Sequence, residues 1–252
     1  MSEPPTSEPA MSEPVGEQRF EIDTPLGPIW FWGRDTGRPL VLLINGAFAE
    51  VWVFDRLQDE LPDVDVLRAH LPGNHCPGLV ANNVGTLAQA LALALEQRFP
   101  GRRAAVVGLS TGALAAMALR WPGVVRLLLV EPFLRTRHVW LFPRMLDRVS
   151  SDVDRELVWS VFGVREGERE ERDYSHLVAG LTVPGRVLLG EIPLLPERDL
   201  PTMPSLVDEV DRATLARQPL LKIQVAKGAG HHVPRDDLGL FFNAVLEACR
   251  AL

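Results

Sequence analysis

Cysteine is scarce: Cys76 and Cys249 are the only two in 252 residues, and they are far apart. That excludes a disulfide-stapled scaffold and a Cys-based metal knuckle, and it points to two reduced thiols in a cytoplasmic protein. Long hydrophobic runs are also missing. No apolar stretch reaches the ~20 residues that a membrane span needs, so no membrane partner is expected. Basic charge is in deficit, with 26 Lys and Arg against 33 Asp and Glu and a net charge of −7. Nucleic acid and anionic membrane surfaces are poor partners for such a chain. The N-terminus lacks the basic start and apolar stretch of a secretory signal. It reads "MSEPPTSEPAMSEPVGE" instead, with Ser-Glu-Pro at positions 2, 7 and 12. Such a segment cannot bury enough apolar surface to offset its ordering entropy, so residues 1–16 are expected to form a disordered tail.

What remains is the composition of an ordinary globular domain, 46% hydrophobic and 23% charged, over residues 17–252. "RFEIDTPLGPIWFWG" (19–33) alternates around a Pro-Leu-Gly-Pro turn and predicts a β-hairpin. "PLVLLINGA" (39–47), "VDVLRAHLPG" (64–73), "RRAAVVGLS", "VVRLLLVEPF" (124–133), "GRVLLGE" (185–191) and "LLKIQVAKGAG" (220–230) read as buried strands. Helices are expected between them, near 51–61, at 84–99, after "GLS", near 205–217 and at 236–250. This alternation implies an α/β fold, a mostly parallel sheet with helices on both faces. It lapses from about 134 to 183, where an amphipathic, helical lid insertion is expected. The charged run "REGEREERD" (165–173) inside it reads as a solvated helix face.

Chemistry is concentrated in "VVGLSTGALAAMA" (106–118). A strand turns directly into a helix at a serine flanked by Gly108 and Gly112. A hydroxyl is a weak nucleophile, which needs a base, exposure and donors for the oxyanion that forms. A sharp strand-to-helix turn exposes Ser110 and aims a helix N-terminus at developing negative charge. Small neighbours are needed because such a turn brings backbone segments close together. The G-x-S-x-G motif alone is weak evidence; its place at a strand–helix junction is what makes it specific.

With these parts in order, the chain resembles the α/β-hydrolase family over about residues 19–252. "GLSTG" looks like the family's nucleophile elbow, which implies Ser110 as nucleophile. "LLINGAF" lies where the family usually carries His-Gly, which implies the backbone N–H groups of Ala47 and Thr111 as oxyanion donors. "LPGNHCPG" (71–78) is similar to the family's Asp-x-Pro-Gly-His-Gly loop, and "GAGHHVP" (228–234) to its late histidine loop, which implies His231 as base. Asn45 departs from the usual histidine before Gly46. The acid departs too: the family's usual place, just past the penultimate strand, holds Glu191 directly after Gly190. Glu191 is preferred, and Glu131 at the end of "LLLVE" is the alternative, with Asp199 and Asp208 held in reserve.

The resemblance implies a serine hydrolase that cleaves a small ester or thioester through an acyl-enzyme. The alternative is a member of the fold that has lost catalysis and binds or interacts instead. Asn45, Phe48, Trp140 and Phe142 are expected to contact the acyl substrate, and Trp159 and Phe162 to pack the insertion onto the body. His232 is read as a neighbour of the base, and His75 as a loop or rim residue. Cys76 lacks an elbow and a positioned base. His70, His138 and His176 have no partners with metal-ligand spacing, so neither a metal nor another cofactor is expected.

Overall fold

The computed structural model describes residues 16–252 except 50, 55, 73–75 and 201. The expected tail therefore lies outside the described residues apart from Gly16, and so does His75. Among the described residues ten strands form: β1 (Gln18–Thr24), β2 (Gly27–Gly33), β3 (Leu40–Ile44), β4 (Asp65–Ala69), β5 (Ala104–Leu109), β6 (Val124–Val130), β7 (Val164–Arg165), β8 (Glu168–Arg169), β9 (Gly185–Gly190) and β10 (Leu221–Ala226). The helices are α1 (Leu57–Glu60), α2 (Val84–Arg98), α3 (Thr111–Ala118), α4 (Asp152–Leu157), α5 (Ser175–Ala179), α6 (Glu209–Ala216), α7 (Val233–Asp236) and α8 (Leu238–Cys249).

Eight strands make one sheet in the order β1-β2-β4-β3-β5-β6-β9-β10. The β1–β2 hairpin is antiparallel and joins β4 antiparallel; the pairs from β4 through β10 are parallel. Residue parity explains the two covered faces. Leu40, Leu42 and Ile44 of β3 pack with Leu87, Leu91 and Leu95 of α2 and with α3. Val41 and Leu43 point the other way, toward Phe241 and Val245 of α8. All five β3 residues are buried, the continuous apolar pattern that a strand covered on both faces requires. Each such side chain contributes roughly 1.5–3 kcal/mol.

Two expectations are corrected. The helix near 51–61 is a 3₁₀ turn at Val51–Phe54 followed by the short α1. The run 165–173 is not a helix face: β7 and β8 form a hairpin, exposed apart from the buried Val164, that turns at Gly167, whose φ is 72°. Gly163 ends the preceding helical segment in the left-handed conformation, where a Cβ would collide with the Glu170 carbonyl, so the helix cannot continue. The rest of 134–183 combines a 3₁₀ segment (Phe142–Arg148), α4, a π-turn (Val158–Phe162) and α5.

This segment is tied down at its start. The Asp211 carboxylate of α6 accepts from the backbone N–H of Leu134 at 2.7 Å and of Arg135 at 3.1 Å, and from the Arg135 guanidinium at 2.5 Å. Burial holds the Asp211 carboxyl above its ordinary value, partly offset by those donors. Phe133, Phe142 and Phe162 pack ring to ring, with centroids 4.8 to 5.6 Å apart. Phe142 and Phe162 thus form an aromatic roof on the cavity reached by Ala47 after β3 and Ser110 after β5.

Candidate active site

Ser110 sits between β5 and α3 with φ 54° and ψ −117°. The turn that imposes these angles also explains its glycines. A Cβ on Gly112 would collide with the carbonyl oxygens of Ile44 and Asn45, and one on Gly108 with that of Gly112. The start of α3 is pressed onto the ends of β3 and β5 too closely for any side chain. Helix α3 begins at Thr111, so the Thr111 N–H belongs to the first turn, whose donors have no intrahelical acceptor. The β3–α1 loop approaches from the other side: a Cβ on Gly46 would stand 3.2 Å from Ser110 Cβ and 3.8 Å from its Oγ.

Among the described residues three non-glycine residues have positive φ: Phe48 at 61°, Ser110 at 54° and Glu131 at 53°. Such conformations cost of order 1–3 kcal/mol each and persist where the surroundings over-determine them. All three lie in the loops at this end of the sheet. Glu131 directly follows β6 and is fully buried. Its carboxylate takes three donors and contacts one imidazole nitrogen. Oε1 accepts from Gly190 N–H at 2.7 Å and from the Ser205 hydroxyl at 2.8 Å. Oε2 accepts from Leu206 N–H at 2.8 Å and lies 3.2 Å from His231 Nδ1. Ser205 is also bonded by the Arg212 guanidinium at 3.1 Å, and Arg212 reaches the Gly190 carbonyl at 2.6 Å. The His231 loop is pinned in turn by its N–H to the Met203 carbonyl at 2.9 Å.

The preference for Glu191 is therefore corrected. Glu191 is exposed, and its Oε2 accepts from Gly228 N–H at 2.8 Å, bracing the turn after β10. The carboxylate on His231 is that of Glu131. Asp208 caps α6 through Asp211 N–H and contacts His138 at 3.1 Å, while Asp199 lies on a cavity wall. Ser205 and Arg212 were not anticipated; "MPSLV" offers no periodic or motif signal.

Ser110 and His231 line two adjoining cavities. The first, about 360 Å³, is bounded by Ala47 and by Trp140, Phe142, Met145 and Phe162 of the roof. The second, about 410 Å³, is bounded by Asn45, Ala47, Phe48 and Phe54. The four expected substrate contacts thus divide two and two between the cavities. Trp159 lines neither; it lies under the guanidinium groups of Arg165 and Arg172. Trp140 is anchored by its indole N–H to the Leu194 carbonyl at 3.1 Å. His232 stacks edge-on against His231, with ring centres 5.3 Å apart.

Cys76 stands apart from this chemistry. Its thiol lies 3.1 Å from the Leu71 carbonyl, and burial pushes it up to about 12. No described helix is long and apolar enough to cross a membrane.

The arrangement has relatives. A family model described as the alpha/beta hydrolase family matches residues 41–244. No curated protein sequence matches the chain. Among solved structures, a thermophilic esterase from Thermogutta terrifontis is similar at 21% identity and a TM-score of 0.66, covering 92% of this chain and 98% of that one. A carboxylesterase from Bacillus subtilis is similar at 12% identity, TM-score 0.66, over 94% and 93% of the two chains. The naproxen esterase from the same organism is similar at 15% identity and the same TM-score, over 93% and 92%. At these identities the likeness is one of fold.

Proposed function

We propose that this chain, which belongs to the alpha/beta hydrolase family, is a serine hydrolase that cleaves a small ester or thioester by two-step acyl transfer. The observation that carries this reading is the Glu131–His231 contact of 3.2 Å beside a serine held on a strained elbow in the same cavity. In this reading Glu131 accepts the Nδ1–H of His231, which fixes the tautomer and leaves Nε2 as the base. Ser110 Oγ bonds to the substrate carbonyl carbon while Nε2 takes its proton. The π pair moves onto the carbonyl oxygen, where the N–H groups of Ala47 and Thr111 and the start of α3 stabilise it. Collapse expels the alkoxide or thiolate, which leaves with the proton from His231. Water repeats the sequence on the acyl-serine and releases the carboxylic acid.

The surroundings support these roles. The donors from Gly190, Ser205 and Leu206 hold the Glu131 carboxylate in place against the imidazole. Trp140, Phe142 and Phe162 on the wall of the first cavity offer apolar contact to the acyl group. The three similar structures are an esterase, a carboxylesterase and naproxen esterase, which is consistent with this class.

The test is turnover of 4-nitrophenyl acetate and a short-chain thioester by the purified protein. Hydrolysis with an initial burst stoichiometric with enzyme, abolished in Ser110→Ala, is the expected result. Turnover that survives in Ser110→Ala would reject the assignment. Absence of turnover with the native protein would favour a binding protein on the same fold.

A further inference from the structure

The wall of the first cavity is about equally polar and apolar, and one arginine from each of the two segments that close it reaches that wall. Arg144 comes from the 3₁₀ segment after β6, and Arg198 from the loop after β9. The two segments meet where the Trp140 indole bonds the Leu194 carbonyl at 3.1 Å.

Both guanidinium groups are positioned by neutral partners. Arg144 lies over the face of Trp140, 5.3 Å from the ring centre. Arg198 donates to the carbonyls of Pro196 at 2.7 Å and Pro193 at 3.0 Å. An indole face and two carbonyls orient a cation without neutralising it. Arg235, on the second cavity, differs, because its charge is met by Asp236 at 2.9 Å. Among the described residues neither Arg144 nor Arg198 forms an ion pair. Asp199 lines the same cavity and pairs with neither of them. The wall therefore carries two fixed positive charges against one negative, in a chain whose net charge is −7.

That inversion has a physical consequence. A net-negative protein repels an anionic ligand at long range, and a wall with two guanidinium groups against one carboxylate reverses this locally. The planar fork of arginine matches the paired oxygens of a carboxylate or phosphate. We propose that the substrate of this site carries an anionic group, a carboxylate or a phosphate, which Arg144 and Arg198 hold while the carbonyl faces Ser110. This rests on the hydrolase reading above and adds to it the charge class of the substrate.

Two matched pairs of substrates test it. Mono(4-nitrophenyl) glutarate is compared with the same ester capped as its methyl ester, which places a carboxylate or a neutral group on the acyl side. Acetyl coenzyme A is compared with S-acetyl-N-acetylcysteamine, which places phosphates or nothing on the leaving group. The expected result is a preference of at least about tenfold in kcat/KM for the charged member of one pair, weakening with added salt. Which pair shows it identifies the source of the anion. The double variant Arg144→Gln, Arg198→Gln should bring that ratio close to one, and Arg198→Lys alone should retain part of it. Equal or better turnover of the neutral member in both pairs overturns the proposal and leaves the hydrolase reading standing. A preference that survives in the double variant also overturns it. No turnover of any of the four overturns both.

Discussion

Oε2 of Glu131 lies 3.2 Å from Nδ1 of His231, across 100 residues of chain. The contact is possible because β6 ends beside β9, and Gly190 sits close against Gly230 at the root of the histidine loop. Replacing Glu131 by glutamine offers the imidazole an amide and permits the wrong tautomer, a change that costs about 10⁴ in turnover in serine proteases. Glu131→Gln should therefore lose orders of magnitude in kcat, while Glu191→Gln stays within a fewfold of the native enzyme. Steady-state kinetics on one ester, with circular dichroism to show that both variants fold, checks the ranking. The opposite ranking would return the role to Glu191.

In the proposed mechanism Ser205 and Arg212 act through Glu131, which Ser205 bonds directly and Arg212 supports through Ser205. Ser205→Ala removes one of the two donors to Oε1 and leaves that of Gly190, and the carboxylate should then sample positions away from His231. We expect kcat to fall about ten- to a hundredfold with KM nearly unchanged, and Arg212→Lys to fall less than Arg212→Ala. A rise in KM at constant kcat would show that Ser205 serves binding instead.

Much of this site was legible in the sequence, and the part that was not has a clear cause. Ser110 and His231 are marked by local signals, a glycine-flanked turn and a histidine loop after a buried strand. The carboxylate that contacts His231 has no such signal. Glu131 and Glu191 both end buried strands, and only the packing of Ser205, Leu206 and Gly190 around Glu131 separates them. That packing brings together positions 59 to 75 residues apart, which no window of sequence reads. The hairpin at 164–169 was missed for a related reason. Its charged composition suits a helix, and the tertiary fit of Gly163 against Glu170 decides otherwise.

The elbow glycines make a sharp contrast with an ordinary one. Gly112→Ala sets a Cβ against the Ile44 carbonyl, backbone that cannot yield, so the protein should fail to fold or lose several degrees in Tm. Gly85 lies exposed in the first turn of α2, and its Cβ would meet only Asn83 Oδ1 at 3.4 Å, an ordinary contact. Gly85→Ala should raise stability by up to about 1 kcal/mol through helix propensity. Thermal melts of the two variants check both; a tolerated Gly112→Ala would contradict the geometry of the elbow.

The two thiols should be silent in the native protein. Burial raises Cys76 to about 12 and Cys249 to about 11, so both remain protonated up to pH 9. The unfolded chain ionises them near the ordinary thiol value and binds fewer protons above it, so stability should fall as pH rises through 9 to 11. Ellman's reagent at pH 8 should titrate two thiols only after denaturation. Rapid native reaction of Cys76 would show that its loop is open.

The central claim is that Ser110 is activated by His231, and labelling with a fluorophosphonate followed by intact mass measurement tests it most directly. The account predicts one adduct per chain on Ser110, none in Ser110→Ala, labelling slowed by several powers of ten in His231→Ala and nearly normal in His232→Ala. An unlabelled native protein, or labelling that proceeds equally in His231→Ala, would contradict it.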